Sequence, residues 1–297
     1  MSIDDPKSAA VNSPEPLLSE SARMILEPIV HLALDVDGTL ALDETLLPST
    51  QGFLGTLKKL GIGFTIVTNN SSRSKAEHGD RLRRMGMMIR TDDVTVSTEA
   101  TLDYLENTFP ELKRLFVLGP PAFQNEFFER GFGLCADDPE DEPEAVVVGF
   151  DTSLTYDRLC RAAHWIKRGK KYFATHPDLV CPTDRPTVLV DCGSITRCLK
   201  AATGREPDAI LGKPSPQMIH TVRKRHGLKR NQIAMVGDRL YTDMAMAHAA
   251  EVPAILVLCG ETTRDEGESV RPAPDLMVAD TGELGQLLVA AKRLSEK

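Results

Sequence analysis

The sequence predicts an α/β protein, a doubly wound, Rossmann-like parallel sheet that carries an inserted α/β cap. Two observations predict it. Short apolar runs alternate with amphipathic helical stretches along most of the chain, as strand-helix-strand crossovers in a parallel sheet require. Four polar clusters each begin directly after such a run: Asp35 after Leu34, Thr68 after Val67, Lys213 after Leu211 and Asp238 after Val236. In an open parallel sheet those positions are the carboxyl ends of strands, where ligands bind. Nearly half of the chain separates Thr68 from Lys213. That is too long for a loop, and the segment is itself rich in strand and helix signals. Residues 101–206 are therefore read as the cap, 23–100 and 207–297 as the core, and 1–22 as a flexible tail.

Taken in order, the tail holds Pro6, Pro14 and Pro16 among Ser, Asp and Glu. It lacks the basic start and apolar stretch of a signal peptide. Leu32-Ala33-Leu34 reads as a buried strand running into Asp35-Val36-Asp37-Gly38-Thr39-Leu40. Alternation puts Asp35 and Asp37 on one face, where two acids can bind a metal or divide chemical labour. Gly38 lets the chain turn, and Thr39 adds a hydroxyl. Phe53, Leu54, Leu57 and Leu60 share a helical face between Ser49 or Thr50 as N-cap and Gly61 as stop. A strand over 62–67 then ends in Thr68-Asn69-Asn70-Ser71-Ser72, a helix over 74–85 closes at Gly86, and a strand at 94–97 leads to a helix over 98–107.

Within the cap, strands are expected at 115–118, 145–148, 172–174 and 188–190. Helices are expected at 122–130, around Leu159 to Ile166 and at 194–202. A core-like run, Ala209-Ile210-Leu211, ends in Gly212-Lys213-Pro214. Strands at 233–236 and 254–258 enclose Gly237-Asp238-Arg239-Leu240-Tyr241-Thr242-Asp243 and the helix that it opens.

Composition narrows the function classes. At 297 residues, 41% apolar and 26% charged, the chain describes a globular protein, and no apolar run approaches the roughly 20 residues of a membrane helix. A formal net charge of -8 argues against broad nucleic-acid binding, which needs a basic surface. A small phosphorylated metabolite remains open, because local donors and a metal can overcome the overall charge. Cysteines at 135, 160, 181, 192, 198 and 259 form no Cys-x-x-Cys pair, which fits a reduced, cytoplasmic protein. Cys192 and Arg197 have four intervening residues where a cysteine phosphatase loop needs five. No histidine or cysteine spacing suits zinc.

The four clusters, "DVDGTL", "TNNSS", "GKPSP" and "GDRLYTD", with a large segment between the second and third, resemble the signature of the haloacid dehalogenase superfamily. The sequence is especially similar to its NagD-like, para-nitrophenylphosphatase branch. Each cluster alone has an ordinary reading as an acidic turn, a helix cap or a solvated lysine; their order and spacing carry the likeness. The resemblance implies a phosphatase of small organic phosphate monoesters. Asp35 would attack phosphorus to form an aspartyl-phosphate, and Asp37 would act as general acid and then base. It also implies Mg²⁺ held by Asp35, Asp238 and the Asp37 backbone carbonyl, with Asp243 positioned behind them. Thr68 and the Asn69 amide would hold phosphoryl oxygens, and Lys213 would set its charge against nucleophile and phosphate. In the cap, His176, Asp178 and Cys181 are candidates for substrate selection, where relatives often carry Thr-Asn in place of Thr175-His176. Arg239 reads as a structural partner of nearby acids. Related capped enzymes suggest a homodimer through the cap. A phosphotransferase or mutase using the same aspartyl-phosphate is the second enzymatic reading, and a non-catalytic phospho-metabolite sensor is the third.

Overall fold

The computed structural model describes residues 18–42, 44–181 and 186–295. Most of the expected tail lies outside these residues, but residues 20–22 open the helix Glu20–Leu26. The Ser19 hydroxyl caps that helix by accepting from the Ala22 N–H at 3.1 Å.

The first sheet has six parallel strands in the spatial order Leu276–Val278, Ala254–Val257, Ile233–Gly237, His31–Leu34, Gly63–Thr68, Val94–Val96. The strand His31–Leu34 is central, and the strands that follow it in sequence and those that return near the end of the chain lie on opposite sides. This arrangement makes its carboxyl end a topological switch point. Alternation sends Leu32 and Leu34 into one core with Phe53, Leu57 and Leu288. Ala33 points into the other, with Met218, Val222 and Met235. The helix Thr50–Leu60 that packs there ends at Gly61 in the left-handed region, φ 65°, which glycine adopts without a Cβ penalty. The helix Lys75–Arg84 starts in a reciprocal cap between Ser74 and Glu77. The edge strand Leu276–Val278 and the helix Thr281–Ser295 extend the core beyond the elements that periodicity marked.

The second sheet has five parallel strands in the order Ala209–Ile210, Lys171–Ala174, Ala145–Val148, Arg114–Leu118, Gly133–Leu134. Ala209–Ile210, read from sequence as core-like, pairs instead with Phe173 and Ala174. Three of the four polar clusters therefore follow core strands, and Lys213 follows the last cap strand on the chain's way back. The strand expected at 188–190 is present at residues 189–190. They pair antiparallel with Val180–Cys181 in a separate two-stranded ribbon and not with the cap sheet. Phe123, Phe127, Val147 and Phe173 fill one face of the cap sheet, and Trp165, Tyr172, Val146 and Val148 fill the other.

Core and cap meet through Ser71, whose hydroxyl accepts from Phe150 N–H at 2.9 Å and lies 3.2 Å from the Thr175 hydroxyl. Among the described residues no helix is long and apolar enough to cross a membrane.

Candidate active site

The carboxyl ends of three core strands converge with the loop returning from the cap. Asp35 follows His31–Leu34, Thr68 ends Gly63–Thr68, and Asp238 follows Ile233–Gly237. A cleft there is lined by Asp35, Asp37, Thr68, Asn69, Lys213 and Thr242 from this side, and by Asp178, Val180, Cys181 and Asp191 from the cap.

Lys213 is the electrostatic centre. Its ammonium donates to Asp35 Oδ1 and, at 2.8 Å, to Asp243 Oδ1, and the residue is 5% exposed. Burial alone would lower its pKa, but the Asp243 and Asp35 carboxylates more than offset that and hold it above the usual lysine value. Lys213 is therefore a fixed cation. Its backbone is held by the Asn69 side chain, which accepts from Lys213 N–H at 2.8 Å and donates to Lys213 C=O at 3.1 Å. Gly212 must be small, because a Cβ there would lie 2.5 Å from Asn69 Oδ1 and 2.6 Å from Thr175 O.

The acids occupy unlike environments. Asp35 is 8% and Asp238 2% exposed, and Asp243 is fully buried, whereas the Asp37 side chain is 45% exposed at the mouth, 3.9 Å from the Arg81 guanidinium. Burial and then the Asp35 charge raise Asp37 above the usual carboxylate range. The same two causes push Asp238 up to about 6. Burial raises Asp243 against the downward pull of Lys213.

Local backbone explains these positions. A π-turn at Leu240–Met244, a distortion common at functional sites, turns Asp243 inward, where its Oδ2 accepts from Arg239 N–H at 3.2 Å. Gly237 leaves room for it, since a Cβ there would lie 2.4 Å from Asp243 Cγ. Gly38 sits at φ +85°, and a Cβ on it would stand 2.2 Å from Asp238 Oδ2.

The residues present fit a hard divalent cation. Carboxylate oxygens of Asp35, Asp238 and Asp243 lie within 4.8 Å of one another. Asp238 Oδ1 is buried with no hydrogen-bond partner among the described residues. Concentrated carboxylate oxygen of this kind suits Mg²⁺. Asp243 is engaged through both oxygens, by the Lys213 ammonium and by Arg239 N–H, whereas Lys213 takes only Oδ1 of Asp35, so the carboxylates with oxygen left to face an ion are those of Asp35 and Asp238.

Of the cap candidates, Asp178 and Cys181 line the cleft and His176 does not. His176 is fully buried behind the wall, with Nε2 2.8 Å from Asp191 Oδ1 and Nδ1 2.8 Å from the Thr175 hydroxyl. It reaches the cleft only through Asp191. Sequence reasoning gave no role to Asp191 or Arg81. Asp191 belongs to no motif, and Arg81 is one of several arginines on a charge-rich helix. Arg239 pairs with Glu261 at 2.9 Å, a structural contact, and also lines the cleft.

A family model described as haloacid dehalogenase-like hydrolase matches residues 32–133, and a second, HAD-hydrolase-like model matches 210–284. An acid sugar phosphatase of Staphylococcus saprophyticus is 30% identical over 84% of this chain and 95% of its own length. The fold is similar to that of a 4-nitrophenylphosphatase from Thermotoga maritima, with TM-score 0.82 and 40% identity, covering 88% of this chain and 98% of that one. It is also similar to a glycerol phosphate phosphatase from Mycobacterium tuberculosis in complex with magnesium, with TM-score 0.81 and 29% identity, covering 88% and 78%.

Proposed function

The chain belongs to the haloacid dehalogenase-like hydrolases and is a phosphatase of small phosphate substrates, and we propose that it works through a phosphorylated Asp35. The observation that carries the mechanism is Lys213, whose buried ammonium bridges Asp35 and Asp243 while Asp37 stands apart from it at the cleft mouth beside Arg81.

In this reading an Asp35 carboxylate oxygen attacks phosphorus and the ester P–O bond breaks. The departing alkoxide takes a proton from the Asp37 carboxyl. Asp37, now a carboxylate, then removes a proton from water, whose oxygen attacks phosphorus. The Asp35–phosphorus bond breaks, and inorganic phosphate leaves. Asp37 suits both steps, because burial and then the Asp35 charge raise its pKa, which favours the acid form that the leaving alkoxide needs. Lys213 orients Asp35 by donating to its Oδ1, and its charge faces the phosphoryl oxygens that Thr68 and the Asn69 N–H would hold. Mg²⁺, held by Asp35, Asp238 and the Asp37 carbonyl with Asp243 behind, would supply positive charge that offsets repulsion between carboxylate and phosphate dianion.

Sugar phosphates, phosphoglycolate, nucleoside monophosphates and para-nitrophenyl phosphate are the substrate types considered. The likeness to an acid sugar phosphatase and a glycerol phosphate phosphatase supports polyol-like esters. A cytoplasmic setting is supported by six cysteines that are all free thiols.

Phosphate release is measured with Mg²⁺, with chelator and in two variants. Asp35→Asn should abolish turnover, and undiminished activity there would remove it from the mechanism. Asp37→Asn should lower kcat by about 10²–10⁴-fold while metal affinity is retained. Release without an added alcohol acceptor separates hydrolysis from phosphotransfer.

A further inference from the structure

The cap side of the cleft is acidic. Asp178 and Asp191 line it beside Val180 and Cys181, and no cap lysine or arginine among the described residues joins them. Both carboxylates are held in place from behind. Asp178 Oδ2 accepts from Asn69 Nδ2 at 3.1 Å, tying the wall to the phosphate loop. Asp191 is 3% exposed. Its Oδ1 accepts from His176 Nε2 at 2.8 Å and from Cys192 N–H at 2.6 Å. Among the described residues no hydrogen bond to its Oδ2 is found, and Asp191 lines the cleft.

A carboxylate only accepts, so His176 Nε2 carries the proton of this contact. While that proton is in place Nε2 offers no lone pair to an ion, although a ring nitrogen of His176 and oxygens of Asp178 and Asp191 lie within 4.8 Å of one another. The convergence therefore favours an organic donor over a second ion. The field is consistent with this reading, since burial and then Asp191, Asp37 and Asp178 push the Cys181 thiol up to about 12.

We propose that Asp178 and Asp191 form an acceptor wall that selects a leaving group bearing hydroxyl or ammonium donors and rejects one bearing a carboxylate. This rests on the phosphatase reading above, with phosphorus seated at Asp35 and the leaving group turned toward the cap. An anionic tail would meet two fixed carboxylates, and no lysine or arginine among the described cap residues lines the cleft to answer it. A polyol or amine would satisfy them, and a site built around such donors discriminates by unpaired polar groups as well as by charge.

The test compares kcat/KM for glycerol phosphate, phosphoethanolamine and phosphoglycolate at fixed Mg²⁺, with para-nitrophenyl phosphate as reference. The wild type should favour at least one donor-bearing ester over phosphoglycolate by tenfold or more; which one it favours separates hydroxyl from ammonium recognition. Asp191→Asn and Asp178→Asn should each shrink that ratio at least fivefold. Asp178 sits on a partly exposed loop, so its variant keeps the test readable if Asp191→Asn melts early. Equal turnover of phosphoglycolate by the wild type, or an unchanged ratio in folded variants, overturns the proposal. No turnover of para-nitrophenyl phosphate by the wild type would instead defeat the phosphatase reading on which it rests.

Discussion

Asn69 grips both backbone groups of Lys213, its side-chain carbonyl oxygen 2.8 Å from Lys213 N and its amide nitrogen 3.1 Å from Lys213 O. The lysine that neutralises the nucleophile is thus positioned by the loop proposed to hold phosphate. Asn69→Ala keeps the loop amide but leaves both Lys213 backbone groups unpaired. Each buried group without a partner costs about 1–3 kcal/mol, and a displacement of about 1 Å at a reacting centre costs on the order of 10²-fold. Thermal melting should show a destabilised but folded protein, and phosphate release should fall far more than stability accounts for. A kcat within twofold of wild type would show that the grip does not position Lys213 for turnover.

Lys213 should resist conservative replacement. Lys213→Met leaves Asp35 and Asp243 facing each other in a buried site, and the loss of one preorganised donor typically costs about 10²–10³ in turnover. Lys213→Arg should fail as well. The pocket admits a compact ammonium between two carboxylates at 5% exposure, and a planar guanidinium demands another geometry. Single-turnover phosphate release measures both variants. Recovery of wild-type rate by arginine would show that charge alone suffices.

How much of this was legible in the sequence depended on whether the information was contiguous. Asp35, Thr68, Asn69 and Asp238 could be found because each closes or follows an apolar run, and strand alternation fixes the direction of what comes next. The pairing of Ala209–Ile210 with the cap sheet could not, since two apolar residues before Lys213 suit either sheet and only tertiary contact chooses. His176 shows the same limit. Its place in a cap loop suggested a substrate contact, but the neighbouring Asp191, fifteen residues away, draws the imidazole inward. Asp191 rather than His176 then meets the cleft.

The pH response should differ between activity and metal-free stability. Protonation of Asp238 below about 6 removes a proposed metal ligand, so activity should fall on the acid side. On the alkaline side it should fall as Asp37, whose pKa is raised, loses the proton it gives to the leaving group. For metal-free stability, the folded Asp238 binds its proton more tightly than in the unfolded chain. Between the ordinary carboxylate value of 3.8 and about 6 the native state holds more protons, and this contribution to stability declines as pH rises. Mg²⁺ should reverse the trend by binding the ionised form, giving a larger melting shift at pH 7.5 than at pH 5.5. Calorimetric melts with chelator and with saturating Mg²⁺ at both pH values measure it, and a Mg²⁺ shift that is larger at pH 5.5 would contradict the assignment.

Gly38 and Gly52 offer a matched pair of alanine substitutions with opposite outcomes. Gly38 holds φ +85°, and its added Cβ would stand 2.2 Å from Asp238 Oδ2. Alanine there pays for a left-handed backbone, about 1–2 kcal/mol, and pushes the Asp238 carboxylate from the position it shares with Asp35. Gly52 lies in the helix Thr50–Leu60, and a Cβ on it meets nothing within 4 Å. Alanine in a helix is favoured over glycine by about 1 kcal/mol, so Gly52→Ala should melt higher with unchanged kinetics. Gly38→Ala should melt lower and need at least tenfold more Mg²⁺ for half-maximal phosphate release, because its clash falls on a metal ligand. If Gly38→Ala lost stability yet kept the wild-type Mg²⁺ requirement, Asp238 would not be the ligand that the cleft geometry makes it.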